Sequence, residues 1–420
     1  MRLENVFPDG TVMDPWFAEE LPEPELSELG RPYVLTDYGV MNDGRVCTKQ
    51  LQALIDRAAD EGGGVIVVPE GRFVTGAVWL RPNVNLYIRA GGILQGSDDP
   101  ADFPLCDTRI EGESCRYLPA LINAENMDGL VIAGHGTIDG NGLRYWRAFR
   151  MRREWNPQCT NKDEQRPRLL FVSGCRNVTL YGLQLQNSPF WTTHWYRCGR
   201  VRIENCRITS PKEPVKAPST DAVDIDVCTD VRIRNCYLSV NDDAVALKGG
   251  KGPDADVRPE NGANERILME DCSFGFCHGC MTLGSEAVHC RNIVLRRCRV
   301  ESADQVLWLQ FRPDTPQHYE YVEVSDIEGA CGNFLTIRPW TQFYDLHGNP
   351  APPPSKAEHI RMRGCRMQAC ICFAVELRED QYSLSDFVFE DLEIAAEQEG
   401  VHLPGAEEKN VRISIIPGSR

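Results

Sequence analysis

The sequence lacks an excess of basic residues. Its 420 residues include 45 lysines and arginines against 61 aspartates and glutamates, which gives a net charge of −16 at pH 7. A protein that binds nucleic acid needs a basic face, so this balance argues against a nucleic-acid partner. It argues only weakly against an anionic substrate, because a local basic patch can lie within an acidic protein.

Long apolar runs are also missing. No stretch of about 18 consecutive apolar residues occurs, so the sequence predicts no membrane-spanning helix and no membrane partner. The first residues, MRLENVFPDGTVMDPWF, contain no apolar segment of the kind that a secretory signal has. Without such a signal, the expected location of the protein is the cytoplasm. Because disulfides persist only in oxidising compartments, the 18 cysteines are then expected to be free thiols.

Cysteine spacing typical of a zinc site is absent as well. Cys277 and Cys280 form a close pair, but no two further ligands lie near them in the sequence. The sequence therefore predicts no metal site.

A repeat occupies the chain from residue 178 onward. Its unit reads NVTLYGLQL, then VRIENCRI, VRIRNCYL, RILMEDCSF and NIVLRRCRV, and the last copy is NVRISI. The equivalent apolar anchors are Val178, Val201, Val231, Ile267, Ile293, Val322, Ile360, Phe387 and Val411. Their spacing fits one coil of roughly 22–24 residues into which loops of variable length are inserted.

One column of this repeat is filled by small apolar side chains. The position five residues after each anchor holds Leu183, Cys206, Cys236, Cys272, Cys298, Ile327, Cys365 and Leu392. Cysteine at such a position behaves as a small buried hydrophobe. Coils that bury one column after another form a continuous core, as in a parallel β-helix.

The predicted fold class is therefore all-β: a single-stranded right-handed parallel β-helix with an N-terminal cap that contains a helix. Residues 1–32 are rich in proline and acidic residues and are predicted to be an extended lead-in; residues 33–420 are predicted to be one β-helix domain. Residues 48–59 carry a helical apolar stripe and supply the helix of the cap. The long segments expected to wall a groove as loops are 147–168, 249–264 and 339–357.

Four short alternating segments lie within residues 219–310. They read STDAVDIDV, NDDAVALKGG, CHGCMTLGSE and ADQVLWLQ. When their apolar positions are aligned, Asp221 falls beside Asp243, and Asp242 falls beside His278. Neighbouring strands lie about 4.8 Å apart, so stacking these segments would bring three carboxylates and a histidine together at one edge of a sheet.

This set of side chains has the chemistry of an acid–base site. Carboxylates this close resist simultaneous ionisation, so the pKa of at least one is expected to rise. A carboxylic acid that stays protonated can donate to a glycosidic oxygen, while an ionised neighbour accepts a proton from water. A lone aspartate at a strand end is usually a solvated turn residue, so the prediction depends on the combination.

These segments resemble the motifs of glycoside hydrolase family 28, the polygalacturonase family of right-handed β-helices. The family's NTD, DD and GHG segments correspond here to STD (219–221), NDD (241–243) and CHG (277–279). Further matches are GTIDGNG (136–142), QNSPFWTTHW (186–195), VALKGG (245–250) and TLGSE (282–286). The segment DYG…GGGVIVVPEGRF resembles the start of bacterial members, and the resemblance covers most of residues 33–420.

The resemblance implies an inverting hydrolase that needs no metal or cofactor. Asp242 would be the general acid that protonates the leaving oxygen. Asp221 and Asp243 would position and deprotonate the attacking water, and His278 would support the acid. Lys248, which follows the DD segment, would contact the substrate.

One motif departs from the family pattern. The family's RIK segment, whose arginine and lysine bind a galacturonate carboxylate, corresponds here to Trp308 and Gln310 around a leucine. A tryptophan stacks on a sugar ring and a glutamine bonds hydroxyl groups, so the leaving-group side could hold a neutral sugar such as rhamnose. Alternatively Arg312 or Arg338 supplies the lost charge; Arg338 falls in the column of Gln310 and is the better candidate.

The function expected from the sequence is exo-acting hydrolysis of α-glycosidic bonds in pectin-derived oligosaccharides of the galacturonide or rhamnogalacturonan type. Two alternatives remain open. The first is a β-helix lyase, which would cleave by β-elimination with Ca²⁺ held by the aspartates and would leave an unsaturated product. The second is a β-helix that binds carbohydrate without cleaving it.

Overall fold

The computed structural model describes residues 5–418. The first four residues of the predicted lead-in and the last two of the predicted β-helix domain lie outside this range. Two α-helices occur within it, α1 (Thr48–Asp60) and α2 (Leu143–Trp155). Short 3₁₀ helices span Pro15–Phe17, Leu26–Glu28, Leu35–Tyr38 and Pro100–Asp102. No helix of residues 5–418 has both the length and the apolar character needed to cross a membrane.

Two parallel sheets wind along the whole body, and the fold is the predicted right-handed β-helix. The first sheet contains Pro32–Val34, Gly64–Val68, Val84–Ile88, Val131–Gly134, Arg176–Tyr181, Gly199–Glu204, Thr229–Arg234, Ala263–Glu270, His289–Arg296, His318–Ser325, Ser355–Arg363, Tyr382–Glu390 and Glu407–Lys409. The second contains Gly71–Thr75, Val78–Trp79, Gly92–Gly96, Ile122–Glu125, Thr137–Asp139, Leu170–Ser173, Gln184–Gln186, Thr193–Tyr196, Arg207–Thr209, Val223–Asp226, Tyr237–Ser239, Val245–Lys248, Ser273–Leu283, Arg299–Phe311, Glu328–Pro339, Arg366–Val375, Glu393–Gly400 and Arg412–Ile415. One antiparallel hairpin, Cys106–Ile110 with Glu113–Tyr117, projects from this body.

The second sheet consists of two rows of strands in the N-terminal coils. Tyr237–Ser239 and Val245–Lys248, for example, are separate strands of one coil. Both pair with the single long strand Ser273–Leu283, so the two rows merge from this coil onward. The turn that separates the rows is where the acidic segments predicted from the sequence lie.

The predicted register of the repeat is confirmed over most of its length. Val178 pairs with Val201, and the ladder continues through Val231 to Phe387 as aligned. The prediction for the last anchor, Val411, was wrong. Glu407 pairs with Val388, so Phe387 falls beside Ala406, and Val411 instead falls beside Leu392 in the next column. The final coil is therefore shorter than the repeat period of roughly 22–24 residues.

The cysteine column is buried as predicted. All eight of its members are at most 2% exposed. All 18 cysteines are free thiols. A thiol fills a coil interior with little volume, so each coil can pack on the next without a disulfide.

The cap at the N-terminal end contains the predicted helix. α1 buries Leu51, Leu54, Ile55 and Ala58, the side chains of its apolar stripe, against the first coils. Thr48 is the first residue of the helix and not its N-cap, which is Cys47. The Thr48 hydroxyl instead accepts a hydrogen bond from the backbone N–H of Gly76, joining the cap to the sheet.

Residues 5–29 run back along the outer face of the first sheet, and we call this segment the strap. Asp9 accepts a hydrogen bond from Arg291, and the Leu29 carbonyl accepts one from Asn85 at the other end of the segment. Between them the buried Arg232 donates to the carbonyls of Trp16 and Phe17. The strap thus ties together coils that are far apart in the sequence.

Apolar packing reinforces the strap. Phe7, Met13 and Phe17 form a buried cluster with Leu268 and Val294 of the first sheet. Met13→Ala should therefore lower the free energy of unfolding by about 2 kcal/mol, the lower end of the range for a buried methionine. The neighbouring Val12 is 74% exposed, so Val12→Ala should change it by less than about 0.5 kcal/mol. Urea denaturation of both variants measures the difference, and equal stabilities would mean that the strap does not stabilise the body.

Candidate active site

The three predicted aspartates converge at the turn between the two strand rows. Val223 pairs with Val245, and Met281 pairs with Leu307, as the alignment of the four segments required. The N–H of Ala222 donates to the Asp243 carbonyl, which places Asp221 beside Asp243 on neighbouring coils. Asp221, Asp242 and Asp243 present carboxylate oxygens that lie within 4.8 Å of one another.

The three carboxylates differ in their access to solvent. The Asp242 side chain is 30% exposed, whereas Asp221 and Asp243 are only 3% and 5% exposed. Gly279 continues the column of Asp221 and Asp243, and a Cβ at Gly279 would lie 3.0 Å from Asp243 Oδ1. The same Cβ would lie only 2.1 Å from Thr282 Oγ1, so glycine is the residue that fits beside the inner pair, and Asp242 is the carboxylate most accessible from the groove.

His278 binds the outer carboxylate. Its Nδ1 lies 3.3 Å from Asp242 Oδ1, and its backbone N–H donates to the Asp242 carbonyl at 2.9 Å. Burial lowers the pKa of the imidazole, but the hydrogen bond and the charge of Asp242 outweigh it and raise the pKa above its usual value. The imidazole therefore holds its proton to higher pH than an isolated histidine does.

Proton affinity is distributed unevenly over the three aspartates. Burial and then the negative charge of Asp242 raise the pKa of Asp243 to about 7. Burial and the same charge raise the pKa of Asp221 well above its usual range. Burial also acts on Asp242, but the hydrogen bond and charge of His278 hold its pKa below the usual value. Protons are therefore held more tightly by the inner pair and by His278 than by Asp242, which is the first of the three aspartates to ionise as the pH rises.

A buried cation adjoins the inner pair. Lys248 lines the same pocket and is 6% exposed; its Nζ lies 3.5 Å from Glu286 Oε2 and 3.8 Å from Asp224 Oδ1. Burial lowers the pKa of Lys248, but Glu286 and Asp224 outweigh it and raise the pKa. Asp224 is fully buried and neither of its carboxylate oxygens has a hydrogen-bond partner among the described residues. Lys248 is therefore held by neighbouring carboxylates at the floor of the pocket.

The two residues at the altered motif both line the pocket. Trp308 is 5% exposed, and its ring meets Trp340 edge-on at 5.6 Å between centroids. Gln310 is 4% exposed and pairs in the sheet with Arg338, which confirms the predicted column. An aromatic ring and an amide therefore replace two cations on this wall.

Neither arginine proposed as a replacement is placed as a free cation in the pocket. Arg312 lines it, but its guanidinium makes two hydrogen bonds to Asp314, at 2.8 and 2.9 Å, and also donates to the Phe343 carbonyl. Arg338 is not a lining residue; its guanidinium lies 4.9 Å from the centroid of the Trp308 ring. Arg312 therefore holds the 339–357 segment in place, and Arg338 makes a cation–π contact with Trp308.

All three segments predicted to wall the groove reach the pocket, which encloses about 970 Å³ including space open to solvent. The first of them is not a loop: α2 covers its N-terminal half and buries Tyr145, Trp146 and Phe149. The 249–264 segment contributes Lys251, and the 339–357 segment contributes Trp340, Gln342 and Phe343.

The sequence analysis did not name four charged lining residues as site residues. These are Arg153 at the end of α2, Lys251, Glu286, and Glu111 at the tip of the Cys106–Tyr117 hairpin. Among residues 5–418, no carboxylate lies within ion-pair distance of Arg153 or Lys251, so both cations are available to a ligand. The basic run RMRR in α2 was the available signal for the first of them.

Among the described residues, two groups of side chains are spaced closely enough to hold a metal ion. The three aspartates are one such group, but the charge of Lys248 already acts on Asp221 and Asp243, and His278 lies beside Asp242. A second group, His289, His318 and Glu320, lies on the first sheet, where Glu320 accepts hydrogen bonds from His289 and Arg291. In both places, protein cations occupy the neighbourhood that a metal would need.

Comparison with known proteins connects this site to one family. The sequence model of "Glycosyl hydrolases family 28" matches residues 105–309, which include all four aspartate and histidine positions of the site. A probable polygalacturonase from Vitis vinifera is 29% identical over 226 residues, which are 51% of this chain and 44% of that protein. A polygalacturonase from Ralstonia nicotianae is 28% identical over 256 residues, covering 52% of this chain and 45% of that protein. The chain thus spans less than half the length of these curated relatives.

Among solved structures, an exopolygalacturonase from Thermotoga maritima has a similar fold. It superimposes with a TM-score of 0.79 over 94% of this chain and 93% of its own, at 23% sequence identity. At that identity the similarity shows a shared β-helix fold, and the catalytic assignment depends on the site itself.

Proposed function

We propose that this chain is a member of glycoside hydrolase family 28, whose sequence model matches residues 105–309, and that it hydrolyses α-glycosidic bonds in pectin-derived oligosaccharides. One observation carries the proposal. Three aspartates from two neighbouring coils bring their carboxylates within 4.8 Å at the floor of a pocket, with His278 bonded to the outermost. Such a cluster can supply both the acid and the base that hydrolysis of a glycosidic bond requires.

In this proposal Asp242 is the general acid. It is the most exposed carboxylate of the three and therefore the one that a glycosidic oxygen can reach. Although Asp242 is ionised in the free protein, its neighbour His278 holds a proton 3.3 Å away. The Asp242–His278 pair thus carries one proton, which passes to the leaving oxygen as the glycosidic bond breaks.

Asp221 and Asp243 act on the water molecule. They lie on neighbouring coils and line the pocket, and either one, when ionised, accepts a proton as the water oxygen forms its bond to the anomeric carbon. The nearby ammonium of Lys248 favours the ionised form of this pair, against the effects of burial and of Asp242. Each turnover leaves one proton on the inner pair and removes one from the outer pair, and exchange with solvent restores both.

The proposed stereochemistry is inversion. The resemblance to the family supports it, and so does the presence of two inner carboxylates that can hold a water between them. Carboxylates as close as these are, by distance alone, nearer to the spacing of retaining enzymes, which is about 5–5.5 Å. The anomer formed first therefore tests the role of the inner pair.

The proposed substrate carries a carboxylate. Lys251 and Arg153 line the pocket without an ion-pair partner among the described residues, so they are better placed to bind a uronate than Arg312 or Arg338. Trp308 offers an aromatic ring to the apolar face of a sugar. Oligogalacturonates are therefore preferred here, and rhamnogalacturonan fragments with a neutral sugar beside Trp308 are the second candidate.

We further propose exo-action and a cytoplasmic location. α2 and the 339–357 segment rise on two sides of the pocket, which favours a substrate end over the middle of a long chain. All 18 cysteines are free and 15 of them are buried, an arrangement suited to a reducing compartment. Cell fractionation tests the location, and finding the protein outside the cytoplasmic fraction would contradict it.

Product analysis tests the substrate proposal. Oligogalacturonates and rhamnogalacturonan fragments of defined length are incubated with the protein, and products are separated by chromatography and weighed by mass spectrometry. We expect saturated galacturonate to be released one unit at a time from the oligogalacturonates. Cleavage of only those fragments that carry a neutral sugar next to the bond would instead assign the Trp308–Gln310 wall to that sugar.

The pH dependence follows from the site. The base must be ionised, so kcat/KM should fall as the pH drops through about 7, the pKa of Asp243. The acid must be protonated, so kcat/KM should fall again as the pH rises past the raised pKa of His278. A bell-shaped profile near neutrality is expected, and His278→Gln should move its alkaline limb to lower pH. A profile with an optimum near pH 4 for the native protein would contradict these assignments.

A further inference from the structure

Positive charge is concentrated on one side of the pocket mouth in an otherwise acidic protein. The net charge of the chain is −16, yet α2 contains five arginines and a single acidic residue, Glu154. The neighbouring segment 211–216 contains Lys212 and Lys216 with one acidic residue, Glu213. A local field of this kind attracts anions toward a site that the whole-molecule charge would repel.

Most of this charge is not neutralised by the protein. Arg144 and Arg152 are near Asp98 and Glu164, respectively, at 4.0 and 3.3 Å. No carboxylate of residues 5–418 lies within ion-pair distance of the other basic residues of the two segments, which are Arg147, Arg150, Arg153, Lys212 and Lys216. Unpaired cations on two adjacent segments are what an anionic ligand would require.

Two of these cations have fixed positions. The Nζ atoms of Lys212 and Lys216 lie 3.6 and 5.2 Å from the centroid of the Phe276 ring, so one aromatic ring makes a cation–π contact with each ammonium group. A hydrogen bond from Arg150 to the Lys216 carbonyl, 3.0 Å long, ties this segment to α2. Both lysines are exposed, so their ammonium groups stay accessible while their positions are restricted.

This cluster is continuous with the catalytic residues. The Phe276 ring packs edge-on against the His278 ring, with centroids 6.1 Å apart, and His278 binds Asp242. On the other side, Arg153 lies one helical turn after Arg150 and lines the pocket itself. A sugar chain that leaves the pocket past His278 therefore meets Lys212 and Lys216 next.

We propose that Lys212 and Lys216, held over Phe276, form an outer subsite that binds the carboxylate of a uronate residue beyond the pocket. The inference rests on the proposed function and deepens it, because it assigns the chain a preference for substrates with several consecutive uronates. In this proposal Lys212 and Lys216 supply the positive charge that the RIK motif supplies in the family. They bind a different sugar of the substrate from the one beside Trp308 and Gln310.

Binding measurements on an inactive background test the subsite. Asp242→Asn is the parent, and Lys212→Gln/Lys216→Gln is added to it. Calorimetry follows digalacturonate, hexagalacturonate and fully methyl-esterified hexagalacturonate at low and high salt. We expect the double substitution to weaken hexagalacturonate binding about fivefold to tenfold at low salt, and less at high salt. Binding of digalacturonate and of the uncharged ester should change less than about twofold.

A matched control separates local from global charge. Lys49→Gln/Lys356→Gln removes the same charge from two exposed lysines outside the pocket and its mouth, and it should leave hexagalacturonate affinity unchanged. Equal affinities of the parent and the Lys212/Lys216 variant for hexagalacturonate would overturn the subsite alone. An equal loss for all three ligands would overturn it too, since it would indicate a structural role. A parent that binds none of them would overturn the proposed function together with the subsite.

Discussion

Replacement of Asp242 by asparagine should lower kcat on oligogalacturonate by about 10²- to 10⁴-fold, the usual contribution of a general acid. Asparagine keeps the shape of the side chain and cannot donate the proton that the leaving oxygen needs. Asp242 lies in the turn between the two rows of strands, and its side chain is 30% exposed, so the variant should fold like the native protein. Steady-state kinetics and circular dichroism measure the two effects separately.

A change of leaving group identifies the role of each aspartate. An aryl galacturonide with a nitrophenol leaving group departs without protonation, so Asp242→Asn should retain most of its activity on that substrate. Asp243→Asn should lose activity on both substrates, because the water must be activated in either case. Asp304, which follows His278 in the same column but is exposed, is the control: Asp304→Asn should change kcat less than about twofold. Loss of aryl-glycoside activity in Asp242→Asn would remove it from the acid role.

Replacement of Lys248 by methionine should lower the free energy of unfolding by about 3–5 kcal/mol. The physical reason is Asp224, which is fully buried, has no hydrogen-bond partner for its carboxylate among the described residues and has Lys248 3.8 Å away. Glu286 loses a cation as well but retains Arg312 at 3.7 Å. Urea denaturation at neutral pH measures the change.

A double-mutant cycle tests this explanation. Asp224→Asn removes the unpaired charge, so Lys248→Met/Asp224→Asn should be more stable than Lys248→Met alone. Lys251→Met is the matched control, because Lys251 also lines the pocket but no carboxylate of residues 5–418 pairs with it. This variant should lower the free energy of unfolding by less than about 1 kcal/mol. A Lys248→Met variant as stable as this control would show that the buried charges are not coupled.

Much of the site was predictable because a β-helix repeats one geometry. Side chains of a strand alternate with period two, so aligning the apolar positions of four segments also fixes their polar neighbours. This placed Asp221 beside Asp243 and Gln310 beside Arg338, as the structure has them. The cysteine column could be read for the same reason, since each coil buries one small side chain at an equivalent point.

Residues on the inserted segments could not be placed in this way. Whether the Arg312 guanidinium faces the pocket or turns to Asp314 is decided by the path of the loop, which no repeat specifies. The sequence analysis did not predict α2, because its sequence, LRYWRAFRMRREW, carries only a short apolar face among five arginines. Arg153 and Lys251 were missed along with it, because their approach to the pocket depends on how these segments fold back over the coils.

The order of proton affinities was likewise beyond the sequence. Crowding of carboxylates predicted that some pKa would rise, and the pKa values of Asp221 and Asp243 do. That Asp242 is instead held ionised follows from the 3.3 Å contact with His278, whose ring position depends on the packing of Phe276. The sequence predicted which groups meet, and three-dimensional contacts decide which of them holds the proton.

The most direct test of the central claim is a time-resolved proton NMR spectrum of trigalacturonate incubated with the protein. The account predicts a saturated product whose new reducing end appears first as the β-anomer and then mutarotates, as inverting hydrolysis of an α-linkage requires. An α-anomer formed first would contradict the role assigned to Asp221 and Asp243. Vinyl proton signals would show β-elimination, and an unchanged spectrum would show that this oligogalacturonate is not hydrolysed.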